Sequence, residues 1–455
     1  MPRASISRLF AGPQGVNVKK GMVVLLIAIA LVLLVSPGII GRLAERSVDD
    51  GFDQAARDSG EIIVSSTGFD RGWFTSAGQH RIELREGELY YMLLGAVDDF
   101  SGDPLPALLI DTRLDHGLIP VSSMNRDHGS LMPGLGSAIS TLSVEFADGT
   151  VVPLPGALYS TVGLTGELQS RLELQADSAR GRNAQLDWGS AEFLLRSDAR
   201  SGSIGVQGTL QSLAVESATE TVILGRFSVD LALTQSGHGY MVGPVEMTLD
   251  SFGVIGEDTS SSGGPFHLRS DSSVTDERLN ARLELQIGSA PLPMGGTGSV
   301  QLVARLEDAD AVALGRFKQS LDASRDPDFE ELETIDLQGD LLRLLAGGMA
   351  LHVDQLDITG PFGNFTSRFS AALTASPADR ISWAGALLAL DASAEVSLPV
   401  ALVEMAAQSD SQMRAAIDAG FLLQQGDYYV MKAAFKKGLL NVNGAPMALP
   451  LMGLQ

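Results

Sequence analysis

Apolar and polar residues alternate along most of the chain beyond residue 60. In RLELQA (171–176) the apolar side chains fall on one side of an extended strand and the charged ones on the other, because successive side chains of a strand point to opposite faces. The segments 282–287, 299–307 and 351–359 alternate similarly. Clusters of Gly, Ser, Asp and Pro between such runs are typical of turns. The pattern predicts many short antiparallel strands with one face in water.

Helical periodicity is confined to a few segments. Residues 42–59 predict a short amphipathic helix. Residues 307–322 predict a helix with an acidic first turn, which suits the positive end of the helix dipole. Residues 336–348 predict a second helix that ends at a Gly pair, as helix C-termini often do. The longest predicted helix covers 398–420 and is interrupted near Ser409.

The C-terminal residues 421–451 predict a meander of strands that turns at Gln425-Gly426 and at Asn443-Gly444, the second being a favoured pair for two-residue hairpin turns. The predicted fold class is mostly β, with long, twisted or curved antiparallel sheets forming an elongated trough or a sandwich, and a few short helices. Its apolar sheet face either packs under a second sheet or the helices, or lines a groove that can shelter acyl chains. The sequence leaves both arrangements open.

The N-terminal residues predict a membrane anchor. Residues 1–20 contain four basic residues and no acid, and residues 21–41 contain no charge. About 20 apolar residues are needed to cross the roughly 30 Å hydrocarbon layer. Basic residues before the span and acids after it favour a cytoplasmic N-terminus with the rest outside the cytoplasm. We therefore expect a basic tail (1–20), one transmembrane helix (21–41), a membrane-proximal helix (42–59), and a β region with an N-terminal part (60–306) and a C-terminal α+β part (307–455).

A cleaved signal peptide is the alternative to this anchor. The apolar run is near the upper length limit for such a peptide, and no clear small-x-small cleavage site follows Gly41. The sequence therefore favours a retained anchor.

Charge and composition exclude several functional classes. After residue 20 the chain has 28 basic and 55 acidic residues, a net charge of −27. A field of this sign repels phosphate backbones, so no nucleic-acid partner is expected. The absence of cysteine excludes disulfides, thiolate metal sites and cysteine nucleophiles. The six histidines lack metal-ligand spacing and no catalytic serine motif is present, so we predict no catalytic residue, no metal site and no cofactor.

The segment 67–84 contains one of only three tryptophans in the chain. Trp73 and Phe74 follow Gly72 and precede an alternating run, so we expect the chain to enter its first long strands here. Gly68 and Gly72 allow a bend or a β-bulge. Trp73 and Phe74 would point to opposite faces of a regular strand, so a structural role is expected rather than a catalytic one.

Five motifs occur in a fixed order along the chain: FDRGWFTS (69–76), LDHGLIP (114–120), TVGLTGEL (161–168), LEDADAVALGRF (306–317) and KKGLLNVNGAPMALPL (436–451). This ordered set resembles the YdgA-like family of bacterial membrane-anchored domains of unknown function, over nearly the whole chain. Leu118 departs from the family pattern, which usually has Pro after His-Gly. The residues that carry the signature are Arg71, Gly72, Trp73, Phe74, His116, Gly117, Gly166, Gly438, Asn443 and Gly444.

The resemblance implies a periplasmic β-protein anchored in the bacterial inner membrane by a single pass. The family is similar, more remotely, to AsmA-like envelope proteins, some of which are implicated in moving phospholipids between membranes. We therefore expect a non-enzymatic envelope-maintenance or lipid-handling module. Its expected partners are the inner membrane, phospholipid acyl chains, and either a second copy of the chain or another envelope protein.

Two alternatives belong to other functional classes. A periplasmic hydrolase would need polar residues converging in one cleft, for example His116 and His128 with nearby acids. An assembly partner of an envelope or secretion machine would use exposed strand edges to extend a partner's sheet.

Overall fold

The computed structural model of the protein describes most of the chain after residue 61, and every structural statement below concerns the described residues. They are 62–72, 75–85, 107–116, 134–146, 149–180, 184–198, 200–217, 220–256, 260–292, 296–325, 336–376 and 382–448. The predicted tail (1–20), anchor (21–41) and membrane-proximal helix (42–59) lie outside them and stay predictions. No helix within the described stretches is long and apolar enough to cross a membrane.

The described residues are mostly strands. In chain order these are β1 (Ile62–Arg71), β2 (Thr75–Leu84), β3 (Ala107–His116), β4 (Gly134–Glu145), β5 (Val151–Gly163), β6 (Glu167–Leu174), β7 (Asp177–Arg180), β8 (Ala184–Trp188), β9 (Ala191–Asp198), β10 (Ser203–Leu210), β11 (Leu213–Ser217), β12 (Glu220–Leu224), β13 (Phe227–Gln235), β14 (Met241–Val242), β15 (Val245–Leu249), β16 (Phe252–Gly256), β17 (Ser260–Gly263), β18 (Phe266–Thr275), β19 (Arg278–Pro291), β20 (Thr297–Asp310), β21 (Met349–Gly360), β22 (Gly363–Leu373), β23 (Leu390–Pro399), β24 (Leu423–Gln425), β25 (Tyr428–Lys436), β26 (Leu439–Val442) and β27 (Ala445–Ala448). The helices are α1 (Ala311–Arg325), α2 (Leu337–Ala346), α3 (Trp383–Ala389), α4 (Val400–Ser409) and α5 (Ser411–Asp418).

A 21-stranded antiparallel sheet forms the body of the protein. It runs as a meander from β1 through β6, then β9, β10, β13, β15, and β18 through β23, and closes with β25, β26 and β27. The short strands β14 and β24 pair with β13 and β25. No pairing of described residues joins β1 to β27, so the large sheet is open, and it is not curled. The predicted mostly antiparallel β fold is confirmed, whereas the predicted trough is not found.

Strands inserted between those of the large sheet form a second sheet of six strands. The pairs β7–β8, β11–β12 and β16–β17 are inserted between neighbouring strands of the large sheet, and they pair in the order β7, β8, β11, β12, β16, β17. A two-residue break separates each of these six strands from the large-sheet strand next to it in the chain. We call this line of breaks the crease; it consists of 175–176, 189–190, 211–212, 225–226, 250–251 and 264–265.

Backbone hydrogen bonds continue across the crease. Gly189 N–H donates to Ser212 O (2.9 Å) and Gly225 N–H donates to Ser251 O (2.8 Å). A Cβ atom on Gly189 would lie only 2.8 Å from Ser212 Oγ, so glycine allows this close approach of two backbones. Adjacent strands can therefore turn together from one sheet into the other.

The small sheet packs on one end of the large one. Trp188 and Ala179 form a buried cluster with Val144 and Phe146 of the β4 end, and Trp188 Nε1 donates to Gln175 O at 2.9 Å. The two sheets therefore form a sandwich only over β4 and β5. This is a local version of the predicted sandwich.

Helix α1 makes the second buried cluster. Ala311 at its start packs with Leu279 of β19 and Ala309 of β20, and Leu314 packs against them. Helix α2 lies beside α1. These helices cover the strand ends of β19, β20 and β21.

The predicted helices at 336–348 and 398–420 are confirmed in position, whereas the helix predicted at 307–322 begins later than expected. Helix α1 begins at Ala311 rather than at residue 307, because residues 307–310 finish β20; Asp310 Oδ1 then accepts from Ala313 N–H at 2.9 Å. The predicted acidic first turn is therefore wrong. Helix α2 is confirmed, with Asp336 as its N-cap, and the predicted interruption of 398–420 is confirmed at Asp410.

Candidate functional site

Strand register separates apolar from polar side chains over the large sheet. Residues directly opposite each other on neighbouring strands share a face. One such row crosses β18 to β22 and is wholly apolar: Phe266, Ile287, Val300, Ile358 and Phe365. The alternation predicted from the sequence is thus kept in register from strand to strand.

The same face is apolar from β9 to β25. We call it the apolar face; its large side chains are Phe193, Leu195, Val206, Leu210, Phe227, Val229, Leu231, Val245, Met247, Leu249, Phe266, Leu268, Leu283, Leu285, Ile287, Val300, Leu302, Leu351, Val353, Leu356, Ile358, Phe365, Phe369, Val396 and Met431. None of these side chains reaches the burial of a core residue. Leu351 is 42% exposed and Phe369 is 37% exposed.

The apolar face is large for a surface patch. Eleven adjacent strands at about 4.8 Å spacing span roughly 48 Å, and strands of about eight residues are roughly 26 Å long. The resulting area is on the order of 1,200 Å², about twice the largest patch of a typical monomer. Helix α1 borders it at one strand end, helix α4 contacts β23 and β25 at its C-terminal edge, and the small sheet covers the β4 and β5 region beside it. Between these borders, no second layer of described residues buries the face.

Charged side chains gather on the opposite face, the polar face, where they form ion pairs. Arg305 binds Asp354 through two hydrogen bonds, of 2.5 and 2.9 Å. The hydrogen bond from Arg305 lowers the pKa of Asp354, and the same bond raises the pKa of Arg305. Lys432 Nζ lies 2.7 Å from Glu395 and lowers the pKa of that carboxyl in the same way. Cross-strand pairs of this kind neutralise the polar face locally and help to hold the register.

A straight row of hydrogen-bonding side chains also crosses the polar face. We call it the polar row; it consists of Glu192, Thr209, Ser228, Thr248, His267, Gln286, Gln301, Asp357, Thr366 and Ser397, one from each strand between β9 and β23. The polar row contains no Lys and no Arg. Ser228 Oγ and Thr248 Oγ1 are 2.5 Å apart, so two of its members bond to each other.

Two open depressions lie along the polar row. One, of about 490 Å³, is lined by residues of β9, β10, β13 and β15. The other, of about 380 Å³, is lined by residues of β18 to β22. Because β15 and β18 are neighbours in the sheet, the depressions lie side by side. Both depressions therefore lie on the polar face.

Comparison with known proteins gives one match. A family model described as "Bacterial protein of unknown function (DUF945)" matches residues 18–450. The chain belongs to this family. No curated protein and no solved structure matches. Because the match runs through both sheets and all five helices, the family shares this whole region rather than a short motif.

The N-terminal signature residues lie at a strand end. Arg71 is the last residue of β1, and Gly72 N–H donates to Thr75 O at 2.7 Å. Trp73 and Phe74 lie outside the described residues. The chain enters the sheet earlier than predicted, because β1 precedes this pair.

A bulge near Gly68 agrees with the sequence-based expectation. The pairing of β1 with β2 shifts between Ser66 and Phe69, where three steps on β1 match two on β2. One residue is therefore extra on β1, as in a β-bulge.

Four further signature residues lie in turns. Gly166 has φ +87° in the turn between β5 and β6, and Gly438 has φ +77° between β25 and β26. Asn443 (φ 51°) and Gly444 (φ 88°) form the predicted two-residue turn between β26 and β27. Positive φ at both central positions is the geometry of a type I′ hairpin.

Of the two histidines named for the hydrolase alternative, one lies within the described residues. His116 ends β3, while Gly117 and His128 lie outside the described residues. Within the described stretches no three His, Asp or Glu side chains are placed to hold a metal ion.

The crease and the polar row were not predicted from the sequence. A local signal exists at five of the six breaks of the crease, because the dipeptides GS, QS, GR, DS and GP interrupt the alternation at 189, 211, 225, 250 and 264. The polar row has no local signal. It arises only when ten strands from β9 to β23 align in register.

Proposed function

We propose that the protein is a non-enzymatic lipid-handling protein of the bacterial envelope, in which the apolar face binds phospholipid acyl chains. The predicted anchor (21–41) would hold it at the inner membrane, with the two sheets in the periplasm. The observation that carries the proposal is the uncovered, one-sided apolar face between β9 and β25.

Burial of apolar surface supplies the driving force. Each Å² removed from water contributes roughly 25 cal/mol, so contact with only a quarter of a face of about 1,200 Å² would contribute several kcal/mol. Acyl chains need no hydrogen-bonding partner, so they fit a face whose large side chains are all apolar. The sequence resemblance to YdgA-like domains, and more remotely to AsmA-like envelope proteins, supports the same role.

Lipid content of matched variants tests the proposal. Phe369 and Leu351 are exposed on neighbouring strands of the apolar face, and Arg368 is exposed next to Phe369 but on the polar face. Full-length wild type, Phe369→Gln/Leu351→Gln and Arg368→Gln are purified in the same detergent, and phospholipid per protein is measured by mass spectrometry. All three carry the same anchor, so lipid around the anchor is common to them.

We expect the Phe369→Gln/Leu351→Gln variant to retain less phospholipid than wild type, and Arg368→Gln to retain as much as wild type. Equal phospholipid in all three proteins would contradict acyl-chain binding on the apolar face. Circular dichroism of each variant shows whether the sheet is intact, so loss of fold is not mistaken for loss of binding.

A further inference from the structure

The polar face contains a groove that acyl-chain binding does not use. The depressions lined by β9 to β15 and by β18 to β22 lie on either side of the β15–β18 pairing, and the 3.2 Å contact between His267 Nε2 and Glu246 Oε1 lies between them. Thr248 and His267 stand opposite each other here, so the polar row runs from one depression to the other. The groove crosses the strands at right angles to their direction, and it lies on the reverse side of the sheet from the apolar face.

Several groups on this floor are free to bind a ligand. Within the described part of the chain, Thr209, Gln286 and Thr366 make no side-chain hydrogen bond. Gln286 and Thr366 are also exposed. Amide and hydroxyl groups both donate and accept, so they match a ligand that carries hydroxyl or amide groups of its own.

The charge of the groove limits the class of ligand. No Lys or Arg lines either depression, whereas Glu192, Asp230, Glu246 and Asp357 do. The chain as a whole has a net charge of −23. Phosphorylated and other anionic ligands are therefore repelled, since nothing in the groove pairs with them.

The spacing of the floor favours an extended repeating ligand. Each strand contributes one polar side chain to the row, so hydrogen-bonding groups recur at about 4.8 Å across a rigid sheet. A linear glycan presents hydroxyl groups at regular intervals along an extended chain, and carboxylates and amides accept and donate to hydroxyls. We propose that the groove along the polar row binds a neutral, linear glycan laid across the strands.

Ligand-observed NMR on the full-length protein in detergent micelles tests this. The probe is a neutral hexasaccharide of β-1,4-linked N-acetylglucosamine, and hexalysine and dextran sulfate serve as cationic and anionic probes. Gln286→Ala/Thr366→Ala removes two floor groups, and Gln286→Arg fills the groove with a long side chain. Gln424→Ala is the matched control, because Gln424 is an exposed strand residue outside both depressions.

We expect saturation transfer from the wild-type protein to the hexasaccharide. Binding should be roughly tenfold weaker in Gln286→Ala/Thr366→Ala, because two hydrogen bonds are lost. Gln286→Arg should not bind the hexasaccharide, and Gln424→Ala should bind it as wild type does. Absence of binding to the hexasaccharide, equal binding by all variants, or binding of hexalysine alone would overturn the proposal. Phe369→Gln/Leu351→Gln should bind the glycan as wild type does, so failure here is distinct from failure of the lipid proposal.

Discussion

At the residue scale, Asn443 connects three parts of the C-terminal region. Its side-chain Nδ2 donates to the carbonyls of Gly420 and Phe421, both at 3.0 Å, and its Oδ1 accepts from Lys432 N–H at 2.8 Å. The amide thus ties the β26–β27 turn to β25 and to the segment that follows α5. Asn also tolerates the left-handed backbone that this turn requires. These contacts explain why the closing signature contains Asn-Gly and not another turn pair.

Replacement of Asn443 separates these two roles. Asn443→Ala removes three hydrogen bonds and puts alanine, whose side chain cannot hydrogen-bond to the backbone, at a φ of 51°. We therefore expect the free energy of unfolding to fall by about 2–4 kcal/mol. Asn443→Gly removes the same bonds but accepts the backbone, so it should be about 1 kcal/mol more stable than Asn443→Ala. Denaturant titration followed by circular dichroism measures both. Stability within about 0.5 kcal/mol of wild type for both variants would show that the turn is not held by this side chain.

At the scale of elements, alternation and capping were readable from the sequence, whereas long-range pairing was not. Helix α2 was predicted because the Gly347-Gly348 pair marks its end locally, and the structure adds Asp336 as its N-cap. The start of α1 was misplaced because residues 307–310 extend β20, and their pairing partners on β19 and β21 are distant in sequence. The small sheet was missed for the same reason. A two-residue break looks like an ordinary turn until neighbouring strands are seen to break along one line.

Packing of the small sheet on β4 and β5 should depend on Trp188. Its side chain is 7% exposed within the buried cluster that joins the two sheets. Trp188→Ala should therefore lower the free energy of unfolding by about 3–5 kcal/mol, from lost burial and the cavity left behind. Chemical denaturation of the full-length protein measures this.

The control for Trp188 is Ile255→Ala, on the outer face of the same small sheet. Ile255 is 51% exposed, so its truncation should cost less than about 1 kcal/mol. Similar losses for both variants would mean that the small sheet is not attached through its inner face.

At the scale of the whole molecule, one long sheet separates two kinds of surface. Register carried across eleven strands from β9 to β25 places apolar side chains on one face, and ion pairs and the polar row on the other. The sequence predicted the alternation but not whether the apolar face is covered, because coverage depends on where distant elements pack. Among the described elements, the small sheet, α1 and α4 occupy its margins and leave the middle open. The sheet therefore presents an apolar face and a polar face with two depressions on its opposite sides.

Site-specific photo-crosslinking tests lipid contact most directly. p-Benzoylphenylalanine is introduced at Phe369 or at Arg368, which are adjacent in β22, exposed, and on opposite faces of the sheet. The full-length proteins are irradiated in bacterial membranes, and adducts are identified by mass spectrometry. Our account predicts phospholipid adducts at position 369 and few or none at position 368. No adduct at 369, or equal phospholipid adducts at both positions, would contradict it.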